Sequence, residues 1–352
     1  MKNVKIINER FKNIESHKNY RYIIICLLKL FSFIIIMLIL LFSPTKSKKY
    51  INFPYFACFC SVARLENLYV RDLMSYYMGI GFNKFIFGDN NLPNKEKLSD
   101  IIKDYINNGT ADIINIFGSS ISQAEFFQNI YEKYKTKCAW ISFFDFDEYL
   151  RIYPGNNKTT SINEYLSNPV FDKCESIGIN WLIYSDNNLL FYDNRTVLER
   201  FTSPNYNDVD NKFVKSIIRG NLNKKLFSPG TSSHVPEKRV IICNSEGKRL
   251  KYHDRFSVKP PLFKSAYLMH YNTKTVEEYI KKIRRGGNMN AKFDVDERIE
   301  RFFSHNNFTE EKLKMFESAF NKTFFKFHKQ NIGFNILMNL NSFFLILFFL
   351  YL

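Results

Sequence analysis

From residue 53 to about residue 150 the chain alternates between two hydrophobic rhythms. Residues 55–62 form an unbroken run of apolar and small side chains, the pattern of a strand covered on both faces. Residues 67–78 then place Leu68, Leu73, Met74 and Tyr77 at helical spacing, and Gly79-Ile80-Gly81 ends that stretch. The pair repeats with a strand over 84–87, closed by Gly88-Asp89-Asn90-Asn91, and a helix over 96–106. A strand over 111–116, a helix over 123–134 and a strand over 139–144 complete the series. This order predicts an α/β domain with a mostly parallel sheet flanked by helices. Ligands of such sheets bind beyond the carboxyl ends of the strands, where Asp89 and Asp145 fall.

After residue 150 the rhythm weakens. Strands are expected over 178–184 and 266–271, with a polar, loop-rich stretch over 204–264 between them. Thr275 and Glu278 have capping-box spacing at the start of a further helix. Lys281 and Lys282, in its last turn, are read as charges that complement the helix dipole.

The most apolar run lies at the other end. Residues 22–42 contain only Lys29 and Ser32 as polar interruptions, and at ~1.5 Å per residue they reach a ~30 Å bilayer core. An uncleaved signal anchor fits better than a signal peptide, because Ser43-Pro44-Thr45-Lys46 offers no small-x-small cleavage site. The expected organisation is a cytoplasmic tail over 1–21, a span over 22–42, a stem over 43–52 and a catalytic domain over 53–330. An apolar segment, 331–352, follows and is too broken by Asn335, Asn339 and Asn341 to span.

Charge sharpens this reading. The net charge of +16 suggests a nucleic-acid binder until it is located. Residues 1–50 hold 10 Lys/Arg and 2 Asp/Glu, so half the excess flanks the apolar run. That is membrane topology, with the tail cytosolic and the domain lumenal, in a Golgi or bacterial inner membrane, and it speaks against nucleic acid as a partner. Asn-x-Thr sequons at Asn108, Asn157, Asn194, Asn307 and Asn321 agree with a lumenal domain. The six cysteines include no pair at zinc-site spacing. Buried thiols are the expectation, with one disulfide as the alternative.

The strongest chemical signal is Asp145-Phe146-Asp147-Glu148, three carboxylates directly after a buried strand. Such a cluster is costly unless a cation neutralises it, and oxygen ligands suit Mg²⁺ or Mn²⁺. The bland alternative is a solvated acidic turn. A dehalogenase-like phosphatase is a poorer match, since Tyr149 stands where that motif has Thr or Val.

The wider context supplies a resemblance. Arg64-Leu65-Glu66-Asn67, then Phe87-Gly88-Asp89-Asn90-Asn91, Gln123, Asp145-Phe146-Asp147-Glu148-Tyr149, Glu199-Arg200-Phe201 and the run from His270 to Gly286 occur in a fixed order. Together they resemble glycosyltransferases of families 2 and 92, which have the GT-A type of fold. Leu65 and Gly88 depart from the usual Asn and Tyr. The resemblance implies a metal-dependent hexosyltransferase using a nucleotide-sugar donor, UDP-linked and plausibly UDP-galactose, and a glycan or glycoconjugate acceptor, with inversion. It implies Arg64, Asp89, Asp145 and Lys274 as donor contacts and Asp145, Asp147 and His270 as metal ligands. Asp186 and Glu199 are the base candidates. A non-catalytic, membrane-tethered glycan-binding relative is the alternative reading, and a basic membrane protein binding anionic polymers a further one.

Overall fold

The computed structural model describes residues 28–34, 52–153, 160–228, 235–237, 239–251, 256–287, 289, 292–324 and 327. Residues 28–34 are helical and exposed. No helix among the described residues is long and apolar enough to cross a membrane. Most of the expected span at 22–42, and all of 331–352, lie outside the described residues.

The alternation read from the sequence is built by β1 (Tyr55–Ala63), α1 (Val70–Gly79), β2 (Lys84–Asp89), β3 (Ala111–Asn115), α2 (Gln123–Tyr134) and β4 (Cys138–Phe143). These four strands pair in parallel in the order β3-β2-β1-β4. α2 begins with a full capping box between Ser122 and Glu125 and buries Phe126, Phe127, Ile130 and Tyr131 on its inner face. The single helix expected over 96–106 is instead two short ones, Leu98–Ile101 and Lys103–Asn107.

The later strands are β5 (Glu148–Ile152), β6 (Ser176–Tyr184), β7 (Pro204–Asn205), β8 (Val214–Arg219), β9 (Ile242–Asn244) and β10 (Ala266–His270). They extend one sheet in the order β3-β2-β1-β4-β8-β6-β10-β5, with β7 and β9 pairing with β6. β8 is antiparallel to both β4 and β6, and β5 is antiparallel to β10. The fold is therefore mixed α/β, which corrects the expectation of a mostly parallel sheet. The physical reason is the end of regular helical crossovers at β4, since parallel neighbours need them.

The order also shows that the sheet curls. β4 and β5 lie four places apart, ~19 Å across a flat sheet, yet only residues 144–147 join them. Five Cα steps reach ~17 Å when fully extended, and these residues are also turning. The long strand β6 accommodates the bend, pairing with β8 through Ser176–Asn180 and with β10 through Trp181–Ile183. The acidic string is thus the short link that the curl brings across.

Three helices, α3 (Val276–Arg285), α4 (Val295–His305) and α5 (Glu310–Phe320), follow β10. They enclose a second apolar cluster of Tyr279, Ile283, Phe302, Leu313 and Phe316. Two disulfides, Cys58–Cys138 and Cys174–Cys243, correct the expectation of buried thiols. Cys60, buried in β1, is the free cysteine among the described residues. The partners stand 80 and 69 residues apart, so spacing gave no clue to the pairing.

Candidate active site

The acidic link leaves β4 at Phe143 and enters β5 at Glu148. Its main chain is pinned at both ends, because Asp145 N–H donates to Glu148 Oε2 (2.8 Å) and Tyr271 N–H to the Asp147 carbonyl (2.8 Å). The three carboxyl groups then meet three different fates.

Asp145 accepts from the buried Lys215 ammonium on β8 at 2.6 Å, and Gln123 Nε2 lies 3.3 Å from its other oxygen. Burial works against the Lys215 charge, but Asp145 and Glu148 hold its pKa above the ordinary value. Glu148 is fully enclosed. Burial, with the Asp145 and Asp147 charges, pushes its carboxyl up to about 8 against the pull of Lys215, so it is protonated at neutral pH. Asp147 accepts from Lys282 Nζ at 2.8 Å through Oδ2, and its Oδ1 faces His270 Nε2 at 3.7 Å. Burial alone would raise the Asp147 pKa, yet the ammonium groups of Lys282 and Lys274 hold it far below the usual carboxylate range. Burial also holds His270 down to about 3, a neutral imidazole at ordinary pH.

Two lysines, one from β8 and one from α3, thus stand against the acidic string. Lys215 and the strand that carries it were missed in the sequence because one charged residue interrupts the apolar run Val214–Ile218. Lys282 was set aside as a helix-end charge. Its neighbour Lys281 does behave that way, exposed and paired with Glu277 at 2.6 Å.

Asp145, Asp147, His270, Trp181, Lys282 and Arg285 all border one cavity of about 180 Å³. Trp181 packs beside the His270 ring, with centroids 4.4 Å apart, from the neighbouring strand. An adjoining cavity of about 170 Å³ shares Glu66, Asn272, Lys282 and Arg285 and adds Tyr69 and Lys274. Glu66 receives Arg285 Nη2 at 2.5 Å and lies 3.6 Å from Lys274 Nζ. Lys274 stands over the Tyr69 ring, 3.5 Å from its centroid. The Tyr69 hydroxyl donates to Glu278 Oε1 at 2.6 Å, and Arg200 pairs with the same carboxylate at 2.7 Å.

The other sequence candidates lie outside this arrangement. Arg64 reaches the Gly287 carbonyl at 3.2 Å and borders neither cavity. Asp89 accepts from the N–H groups of Asn91 and Leu98, both at 2.9 Å, and so closes the loop after β2. Asp186 is buried against Lys312 at 2.6 Å. Glu199 is exposed and completes the capping box of the helix Val197–Arg200 with Thr196. His253 and Asp254, further base candidates from the loop-rich stretch, lie outside the described residues.

A curled mixed sheet, with carboxylates, an imidazole and several cations gathered at one strand junction, defines an enzyme-like centre for an anionic ligand. The chain belongs to glycosyltransferase family 92, whose family model matches residues 54–324. It is accordingly a glycosyltransferase, an enzyme that takes a nucleotide-sugar donor and a glycan acceptor. Among solved structures, residues 1–349 of S. aureus TarS are similar at 12% identity and a TM-score of 0.32, covering 71% of this chain and 70% of that one. A longer S. aureus TarS structure has 12% identity and a TM-score of 0.31, covering 75% of this chain and 49% of that one. No curated protein matches the sequence.

Proposed function

We propose that this glycosyltransferase is of the GT-A type and moves a hexose, galactose in the first instance, from a UDP-linked donor to a glycan or glycoconjugate hydroxyl, with inversion. The observation that carries the reading is the gathering of Lys274, Lys282 and Arg285 around the two adjoining cavities, beside Asp147 and His270. Across the two linings six cations, Lys274, Lys281, Lys282, Arg285, Arg298 and Arg301, stand against four carboxylates, Glu66, Asp145, Asp147 and Glu278, a positive surplus that a diphosphate would offset. Arg285 Nη1 is buried with no hydrogen-bond partner among the described residues, so a donor is left over for an anion.

A divalent ion fits part of the ligand set expected from the sequence. Asp147 Oδ1 and the neutral His270 Nε2 face each other at 3.7 Å, an oxygen–nitrogen pair that suits Mn²⁺ better than Mg²⁺, which takes oxygen ligands. Asp145 is turned to Lys215 and would join only by leaving it. Bound there, the ion would stabilise negative charge on the departing diphosphate. Lys274, Lys282 and Arg285 would orient the same diphosphate, while Trp181 offers a flat apolar wall for a sugar ring. Asp186 and Glu199, the carboxylates considered as the acceptor base, are engaged elsewhere, and the base is left unassigned.

The cellular setting belongs to the same proposal. An anchor at 22–42 would hold the domain in a secretory lumen, where two disulfides are at home. Asn108, Asn194, Asn307 and Asn321 are all exposed, as glycan acceptors in a lumen would be.

The test is release of UDP from a panel of UDP-sugars by the full-length chain, with Mn²⁺, with Mg²⁺ and with EDTA. Release from a UDP-hexose that EDTA abolishes is expected. Release that persists undiminished in EDTA would remove the metal from the reading, and release only from non-uridine donors would remove UDP.

A further inference from the structure

We infer that Lys282 is an exchangeable counter-ion, which holds Asp147 until the donor diphosphate arrives and then passes to the diphosphate. A divalent cation would then bind well only together with the nucleotide. The inference rests on the sugar-nucleotide reading above and adds an order of binding to it.

Two lysines each hold one carboxylate of the acidic link, and they are built differently. Lys215 comes from the middle of a central strand, and its side chain is 0% exposed. It lies 2.6 Å from Asp145 and 3.7 Å from Glu148, so it is enclosed by carboxyl groups. Lys282 comes from the last turns of α3 and borders both cavities, with its side chain 23% exposed. Besides Asp147, its Nζ donates to the carbonyl and the side-chain oxygen of Asn272, both at 2.8 Å. These neutral acceptors would remain available if the ammonium swung from Asp147 toward the second cavity. A lysine suits that movement, as a point charge on a flexible four-carbon stem.

Electrostatics make the exchange matter. A cation placed beside the Lys282 ammonium at a partly buried site is repelled by it, and a divalent charge doubles that repulsion. A cation arriving alone at Asp147 would meet the Lys282 ammonium and either suffer this repulsion or displace it from its counter-ion. A diphosphate arriving with the cation accepts Lys282 and removes the conflict. By linkage, the nucleotide must tighten the cation by the same factor that the cation tightens the nucleotide.

Removing the ammonium should therefore move two affinities in opposite directions, which a merely structural lysine would not do. The experiment is electron paramagnetic resonance titration of Mn²⁺ into the full-length chain, alone and with UDP, on wild type, Lys282→Met and Lys282→Arg. For Lys282→Met, Mn²⁺ alone should bind ~10-fold tighter and UDP with Mn²⁺ ~10-fold weaker. Lys282→Arg, which keeps the charge, should leave Mn²⁺ alone as weak as in wild type, and circular dichroism verifies the fold of each variant. Should Lys282→Met not fold, Lys282→Gln takes its place with the same expectation. Mn²⁺ affinity that is unchanged or weaker without the ammonium, while wild type still binds Mn²⁺ with UDP, overturns the inference alone. Absence of any Mn²⁺-dependent UDP binding in wild type overturns the sugar-nucleotide reading as well.

Discussion

Among the described residues two groups bring acids and a histidine together, and the tighter one is the less promising. Asp208, Asp210 and His305 offer ligand atoms within 4.8 Å of one another, the closeness a bound metal would require. Both carboxylates are nevertheless held: Asp208 takes His305 Nδ1 at 2.6 Å, and Arg301 holds Asp210 at 2.8 Å, while His305 Nε2, buried without a hydrogen-bond partner among the described residues, faces Asp210 at 3.6 Å. Asp147 and His270 are looser at 3.7 Å, but they open on a cavity lined by further cations. What separates the two is therefore direct access to open space, since Asp147 and His270 line the cavity and Asp208, Asp210 and His305 do not. Buried charge by itself marks structure as often as chemistry.

The sharpest way to break the comparison is to remove each acid in turn. Asp147→Asn should lower sugar transfer by ~100-fold or more while the fold survives, because a metal and diphosphate contact is lost. Asp208→Asn should do the reverse, costing about 3 kcal/mol in urea unfolding with its partner His305 left buried, yet leaving UDP affinity within twofold. Equal losses of UDP binding in both variants would erase the distinction.

A smaller effect separates the supporting network around the second cavity. Burial opposes ionisation of Glu278, but hydrogen bonds from Arg200 and the charge of Lys274 hold its carboxyl down to about 2, against an ordinary 4.5. The folded state thus binds fewer protons than the unfolded chain between these values, and stability present above about pH 4.5 is lost as pH falls toward about 2. Urea midpoints should decline over that window in wild type and flatten in Glu278→Gln. The smallest change expected is Lys281→Met, within about 0.5 kcal/mol of wild type, because its pair with Glu277 is exposed.

The parallel half of the sheet was legible because its strands and helices carry unbroken apolar periods, and α2 matches its expected limits, residues 123–134. In the second half β6 and β10 fall where strands were expected, over 178–184 and 266–271, but β5, β8 and β9 were hidden behind polar residues whose partners are distant in sequence. Lys215 is the clearest instance: a charge that reads as solvent-facing is buried because Asp145, 70 positions earlier, neutralises it. The same distance concealed Lys282, 135 positions from Asp147, and both disulfides. Asp147 and His270 were found through a motif and a resemblance. Asp89 and Glu199 satisfied the pattern equally well, but both Asp89 oxygens accept backbone N–H groups and Glu199 caps its own helix through Oε2. Sequence lists the chemically able groups, while packing decides which of them keep a free valence.

The central claim is that Asp147 and His270 share a divalent ion with a nucleotide diphosphate. Calorimetric titration of UDP into the full-length chain, with Mn²⁺ and with EDTA, on wild type and His270→Ala tests it most directly. The account predicts binding in Mn²⁺ that EDTA abolishes and that His270→Ala weakens by ~10-fold or more. Equal UDP affinity in Mn²⁺ and in EDTA, unaffected by His270→Ala, would contradict it.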